Sequence, residues 1–235
     1  MRKFLAPFRY VRKFQEIQDR FSYIDYVVIQ EKEKVICEFQ RLYFPGTSVQ
    51  KLGLVFNEAK SEYSEIIKQK SMQFPQIWNG GEALASILYT LVKIYEPEIV
   101  LETGVANGIS TQMILKKLPG TSTLHSFDVN PDAFNSVPVS ANWQHHLING
   151  NNPKKSFAFD IGKINSKVDI WVHDSDHSKY WQTFEYKQAL KLLKPGGFLI
   201  SDDVNTSSAW AEVFHNKETL VISDGHKLVG IYRNN

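Results

Sequence analysis

The fold is decided by the stretch Val100-Leu101-Glu102-Thr103-Gly104-Val105-Ala106-Asn107-Gly108-Ile109-Ser110-Thr111. An apolar strand leads into a turn with two glycines, and the turn leads into the start of a helix. Gly104 and Gly108 permit backbone conformations and close contacts that a Cβ would prevent. The first turn of a helix also presents N–H groups without intrahelical partners. The stretch therefore predicts a strand, a ligand-approaching loop and a helix.

Strands and helices alternate on both sides of this unit. We predict five strands at 99–102, 124–129, 144–148, 168–174 and 198–202, with helical or turn segments between most of them. This order is typical of a parallel, doubly wound sheet. The turn signal Asp224-Gly225 lies between two further strands at 220–223 and 228–232 and predicts an antiparallel hairpin. The expected fold is α/β and Rossmann-like, with a seven-stranded mixed sheet.

Residues 1–75 lack the alternation of strands and helices seen in the rest of the sequence. They are predicted to form an N-terminal helical accessory region, with the catalytic domain at 76–235. One helix face is indicated by apolar residues at steps of three and four, namely Phe14, Ile17, Phe21, Ile24 and Val28. That face would pack on its own domain or pair with a second copy in a homo-oligomer. A polar helix is expected over 55–70, before Pro75, and Asn79 is expected to cap a helix through 83–92.

Composition narrows the class of function. The 235 residues include 27 basic and 25 acidic side chains, so the net charge of +2 gives no reason to expect a nucleic-acid partner. Cys37 is the only cysteine, which excludes an intramolecular disulfide and favours the cytoplasm. No apolar run approaches the roughly 20 residues that span a bilayer. A small-molecule or glycan substrate is expected.

A carboxylate follows the second strand at Asp128, 24 positions after Gly104. An acid there can accept hydrogen bonds from both ribose hydroxyls of an adenosine-containing cofactor. The spacing Glu102-x-Gly104-x-x-x-Gly108-x-Ser110 resembles the first motif of class I S-adenosylmethionine-dependent methyltransferases. Dinucleotide enzymes would need glycine at position 106, which is Ala106 here.

The resemblance implies a set of cofactor contacts. Glu102, Gly104 and Ser110, with Gly108 in the same motif, would surround the methionine part of S-adenosylmethionine. Asp128 would hold the ribose. Asn151, after the third strand, would face the adenine, although an ordinary Asn-Gly turn explains the same residues.

A second group of polar residues follows the next two strands. Asp174 ends one strand, and Asp202 and Asp203 end its predicted neighbour. Parallel neighbours lie about 4.8 Å apart, so these carboxylates are expected to converge above the sheet. Unless they take up protons they call for a cation, and oxygen ligands suit magnesium, manganese or calcium. The adjacent pair need not both reach it, because neighbouring side chains on a strand point opposite ways.

This block resembles the metal-dependent O-methyltransferases, and more closely those that act on sugars and antibiotics. The resemblance implies Asp174, Asp202 and Asp203 as ligands of a divalent cation, with Mg²⁺ expected, and Asp174 with His177 as catalytic residues, His177 being the base. Catechol-type enzymes have Asn where this chain has Asp203, which argues against a catechol. The implied reaction is O-methylation of a sugar or other diol-bearing small molecule.

Other interpretations stay open at the level of sequence. Asp202 and Asp203 would simply start a loop, Asp176 would cap the next helix, and His177 would lie on the surface. A nucleotide-dependent oxidoreductase could use the same fold. A catalytically silent binding module built around the N-terminal helix is the third possibility.

Overall fold

A computed structural model of the protein describes residues 26–69, 71–164 and 166–235. The predicted helix face from Phe14 to Ile24 lies outside these residues. The strands form one mixed sheet of eight strands in the order β1-β7-β8-β6-β5-β2-β3-β4. Every neighbouring pair is parallel except the two that involve β8, which runs antiparallel to β6 and β7.

The strand positions agree with the predicted α/β pattern, and the sheet has one more strand than expected. Its strands are β1 (Val28–Ile29), β2 (Ile99–Thr103), β3 (Thr123–Asp128), β4 (Trp143–Leu147), β5 (Val168–His173), β6 (Leu193–Ser201), β7 (Thr219–Ser223) and β8 (Leu228–Arg233). The additional strand, β1, is two residues long and pairs with β7 at the sheet edge. A segment this short leaves no period-two pattern to detect.

Seven α-helices lie within the described ranges. They are α1 (Lys32–Tyr43), α2 (Val49–Gln69), α3 (Glu82–Tyr95), α4 (Ile109–Leu115), α5 (Pro153–Ile161), α6 (Lys179–Leu192) and α7 (Ala209–Val213). Two 3₁₀ segments, Gln76–Trp78 and Pro131–Ser136, lie between them. The helix expected over 55–70 begins earlier, and the helix through 83–92 is confirmed.

Two predictions in the first third of the chain were wrong in detail, and one helix there was missed. Val28, placed on a helix face from its spacing, lies in β1, where backbone pairing with β7 overrides the helical period. Helix α1 was not predicted, and its first turn, Lys32-Glu33-Lys34, is polar. Asn79 does not cap α3: its Oδ1 accepts a hydrogen bond from Asn107 Nδ2 (2.7 Å), and Gly81 is the N-cap residue.

Side chains that alternate along β5 belong to two core clusters, one on each face of the sheet. Ile170 and Val172 pack with α1, α2 and α3, whereas Trp171 packs with α5, α6 and α7. Phe39 of α1 is fully buried in the first cluster. Residues 26–69 therefore share a core with the sheet. No helix in the described ranges is long and apolar enough to cross a bilayer.

This shared core predicts the effect of a truncation in α1. The ring of Phe39 contacts those of Tyr43, Phe44 and Phe56. We expect Phe39→Ala to lower the free energy of unfolding by about 3–5 kcal/mol, since it leaves a cavity in the core. Denaturant titration followed by fluorescence of the buried tryptophans on the other face should show one transition at lower denaturant.

The matched control is Leu54→Ala in α2, where the side chain is 65% exposed and little should change. An unshifted transition for Phe39→Ala would contradict a shared core.

Candidate active site

The glycine loop passes directly against the end of β5. Gly104 has φ +84°, and a Cβ built there would lie 1.9 Å from the backbone carbonyl oxygen of Asp174. Gly108 has φ +67°, and its Cβ would lie 2.2 Å from Cγ2 of Val137. Both positions therefore require glycine. The close passage brings the loop after β2 and the residues after β5 to one point at the carboxyl edge of the sheet.

Asp128 ends β3 beside this loop. Its Oδ2 accepts hydrogen bonds from the backbone N–H groups of Val105 (2.8 Å) and Ala106 (3.3 Å), and its Oδ1 accepts from Asn130 N–H (2.8 Å). Oδ1 accepts one of these three hydrogen bonds, which leaves it a second lone pair for a ligand. The carboxylate is thus held in place, and it lines the cavity in front of the loop.

Glu102 and Ser110 lie behind the loop. The fully buried carboxylate of Glu102 accepts hydrogen bonds from Ser110 (2.6 Å), Thr111 (2.7 Å) and Ser126 (2.7 Å). Burial raises the pKa of Glu102, although these three hydroxyls lower it. Glu102, Gly108 and Ser110 are absent from the cavity wall, so in this structure they brace the loop from the rear.

The cavity in front of the loop has a volume of about 900 Å³. This is at the upper end of the range for ligand pockets, which leaves room for two small molecules. One part of the wall is formed by Gly104, Asp128, Val129, Ile148, Gly150 and Phe157, and the other by Asp174, His177, Tyr180, Trp181, Glu185 and Lys227. Asn151 is exposed, and its backbone N–H donates to Asn149 Oδ1 (3.0 Å). The Asn-Gly segment is therefore a turn that contributes Gly150 to the wall.

The predicted convergence of carboxylates is present for two of the three aspartates. Ligand-type atoms of Asp174, His177 and Asp202 all lie within 4.8 Å of one another. Burial raises the pKa of Asp174 well above its ordinary value, and the neighbouring Asp202 raises it further. Burial and then the charge of Asp203 raise the pKa of Asp202 to about 6. Two acids in one buried space thus disfavour each other's ionisation.

Asp203 lies beside the cluster and faces the imidazole. Its backbone is left-handed, with φ +49°, so the chain turns away from the strand direction of Asp202. Oδ2 of Asp203 lies 3.3 Å from His177 Nδ1, and His177 Nε2 lies 3.8 Å from Asp174 Oδ1. His177 therefore bridges two carboxylates and is not the surface residue that one interpretation of the sequence allowed.

Two residues of the site were missed by sequence reasoning. Lys227, at the end of the β7–β8 turn, places Nζ 2.6 Å from Asp202 Oδ2. The predicted hairpin was the signal that could have indicated Lys227. Because β8 pairs with β6, the start of β8 lies beside the carboxyl end of β6, where Asp202 follows. Glu185 of α6 is fully buried and accepts from Thr103 Oγ1 (2.7 Å) and Ser175 Oγ (2.9 Å). Nothing in the helix pattern distinguishes it.

His173 also belongs to the Glu185 network. Its Nδ1 lies 2.6 Å from Glu185 Oε2, and both side chains are fully buried. Strand alternation places it on the face opposite to that of Asp174, and its contact with Glu185 joins β5 to α6. The network fixes the strand that carries Asp174.

Comparisons with known proteins bear on this arrangement. Residues 101–204, which include the glycine loop, Asp128 and the acidic cluster, match the family model described as a methyltransferase domain. This part of the chain is similar to methyltransferase domains. The resemblance to class I methyltransferases seen in the sequence is confirmed. Methyltransferase str2 of Strobilurus tenacellus is 26% identical over 125 residues, which are 53% of this chain and 41% of that protein. The chain thus spans less than half of that relative's length.

Solved structures share the fold of the methyltransferase domain. An O-methyltransferase of Bacillus cereus in complex with SAH is 13% identical, with a TM-score of 0.54 over 85% of this chain and 97% of that one. TomG of Streptomyces achromogenes, an O-methyltransferase in complex with SAM, is 15% identical, with a TM-score of 0.53 over 77% and 90%. An SAH-bound methyltransferase of Podospora anserina is 12% identical, with a TM-score of 0.57 over 90% and 100%.

The geometry at Gly104 predicts a strong effect of a single methyl group. In Gly104→Ala the Cβ would meet the backbone of Asp174, and the left-handed φ would be strained. We expect the free energy of unfolding to fall by roughly 2–4 kcal/mol, as measured by denaturant titration.

Gly150→Ala is the control, because it lies on the same cavity wall and a Cβ there meets nothing within 4 Å. Equal stability of the two variants would rule out the close passage.

Proposed function

We propose that the protein transfers the methyl group of S-adenosylmethionine to a hydroxyl oxygen of a sugar or other diol-bearing small molecule, with the aid of a divalent cation. One observation supports this most. The residues suited to hold the donor and the residues suited to activate an oxygen nucleophile line a single cavity. Donor and acceptor can therefore meet there without a change in the fold.

The donor side fits S-adenosylmethionine. Asp128 is fixed by backbone N–H groups and can accept hydrogen bonds from ribose hydroxyls. Gly104 lies in the same cavity wall and adds no side chain to it. Ile148 and Phe157 provide an apolar wall for an adenine ring. When bound, the donor supplies an electrophilic methyl group on a sulfonium.

The acceptor side combines aromatic and acidic groups. Trp78 and Tyr180 stand partly exposed on the wall, with exposed fractions of 38% and 71%. Flat apolar rings of this kind pack against the faces of sugars or phenols. The acidic cluster behind them is suited to a pair of hydroxyl groups. This combination supports a hydroxylated small molecule as acceptor.

The cluster also fits a divalent cation such as Mg²⁺. Asp174 and Asp202 would hold it, because hard cations prefer carboxylate oxygens. Oδ1 of Asp202 is buried, and among the described residues no N–H or hydroxyl donates to it. A bound cation would lower the pKa of the acceptor hydroxyl as a Lewis acid. The third predicted ligand, Asp203, is better placed to orient His177.

His177 is the proposed base. With Nδ1–H donating to Asp203 Oδ2, the imidazole presents Nε2 as the proton acceptor. The acceptor oxygen gives its proton to Nε2 and forms a bond to the methyl carbon as the carbon–sulfur bond breaks. S-adenosylhomocysteine and the methyl ether are the products. Asp174, 3.8 Å from Nε2, stabilises the resulting imidazolium.

Donor binding tests the first half of this proposal. Calorimetric titration of S-adenosylmethionine should give a single site, and Asp128→Asn should weaken it about tenfold or more through loss of charged hydrogen bonds to the ribose. Asp132→Asn, an exposed acid nearby, is the control. Absence of donor binding in the unmodified protein, or a nicotinamide-linked absorbance change, would instead favour an oxidoreductase.

Turnover tests the second half. Transfer of labelled methyl from the donor to a panel of sugars and phenols with adjacent hydroxyls should fall about 10²- to 10⁴-fold in His177→Ala. His215→Ala, on the exposed surface, should keep full activity. Loss of turnover on removal of divalent cations, restored by Mg²⁺, is expected as well. Undiminished turnover in His177→Ala would exclude the imidazole as base.

A further inference from the structure

An ammonium group already stands inside the acidic cluster. Lys227 Nζ lies 2.6 Å from Asp202 Oδ2 and 3.4 Å from Asp203 Oδ2, and its side chain is only 17% exposed. Burial alone would lower the pKa of Lys227, but the charges of Asp202, Asp174 and Asp203 raise it above its ordinary value. Lys227 therefore stays charged and lies in the wall of the cavity.

The β7–β8 turn holds Lys227 in this position by contacts of its own. Asp224 Oδ1 accepts hydrogen bonds from the backbone N–H groups of His226 (3.0 Å) and Lys227 (2.9 Å). Oδ2 of the same carboxylate lies 3.5 Å from Ala83 N, at the start of α3. The turn is thus fixed both internally and to a neighbouring helix. The fixed backbone of the turn therefore sets where the Lys227 side chain begins and keeps its ammonium group near Asp202.

The three acids of the cluster outnumber this one ammonium group. When Asp174, Asp202 and Asp203 are all ionised, one lysine leaves two negative charges uncompensated in a buried space. The two carboxylate oxygens of Asp202 have different surroundings. Oδ2 contacts Lys227, whereas Oδ1 is buried and receives no N–H or hydroxyl donor within the described part of the chain. A divalent cation would have to share Asp202 with Lys227.

We propose that Lys227 is a built-in counter-ion that competes with the divalent cation for Asp202 and so sets a low metal affinity. The proposal rests on the proposed function, since it concerns the same cation site. An ammonium held a few ångströms from a divalent ion repels it, and this repulsion is weakly screened in a buried site. Lys227 also competes directly for the charge of the carboxylate that both cations need.

Removal of this one charge gives the test. Lys227→Met keeps the apolar stem and deletes the ammonium. Titration with Mn²⁺ alone, followed by the electron paramagnetic resonance signal of the free ion, should show binding about tenfold tighter or more than in the unmodified protein. Lys227→Arg retains the charge and should stay weak. Mg²⁺ should displace the bound Mn²⁺.

Lys194→Met is the matched control. Lys194 is likewise a partly buried lysine paired with two carboxylates, Glu98 and Asp169, but it lies at the opposite end of β6. Its removal changes net charge equally and should leave Mn²⁺ affinity unchanged. Mn²⁺ binding by Lys227→Met that is equal to or weaker than in the unmodified protein overturns the proposal, as does equal tightening in Lys194→Met.

Circular dichroism of each variant identifies any loss of fold. If Lys227→Met does not fold, Lys227→Gln, which also deletes the ammonium, takes its place: tighter Mn²⁺ binding than in Lys227→Arg supports competition by charge, and equal binding in the two contradicts it. Calorimetry with S-adenosylmethionine separates the two proposals: failure of donor binding removes the proposed methyl transfer, whereas the Mn²⁺ titration alone decides the role of Lys227.

Discussion

The close passage of Gly104 against the backbone of Asp174 determines where the functional groups lie. Because a Cβ would meet that carbonyl at 1.9 Å, the loop after β2 can lie against the end of β5 only without an intervening side chain. Gly104 N–H also donates to the carbonyl of Phe127 (2.8 Å), next to Asp128. One residue therefore joins the donor side of the cavity to its acidic side.

The convergence of these segments buries several carboxylate side chains. Glu102, Glu185 and Asp202 are fully buried, and each is stabilised differently. Hydroxyls surround Glu102, a histidine and hydroxyls surround Glu185, and an ammonium contacts Asp202. The first two carboxylates are satisfied and brace the strands. Asp202 alone among the three has an oxygen that no N–H or hydroxyl of the described residues reaches. A buried acceptor of this kind is suited to bind a ligand, whereas the other two carboxylates have a structural role.

The sequence predicted the central fold well and the periphery poorly, for physical reasons. Most of the strands from β2 to β8 carry apolar patterns or lie beside glycine or Asp-Gly turns, so their positions were predictable. Strand β1 is defined only by pairing across the sheet, and α1 only by the burial of Val35, Ile36 and Phe39 after a polar first turn. Asp174 and Asp202 were predictable from strand ends, and His177 from the resemblance to the sugar O-methyltransferases. Lys227 reaches the site only through the tertiary position of a hairpin.

A crystal structure with S-adenosylhomocysteine tests the central claim most directly, because it locates the donor relative to both sides of the cavity. We expect the ribose hydroxyls within hydrogen-bond distance of the Asp128 carboxylate, the adenine between Ile148 and Phe157, and the sulfur facing Asp174 and His177. An empty cavity at saturating ligand, or a ribose bound away from Asp128, would contradict the proposed donor site and with it the assignment of the acidic cluster to the acceptor.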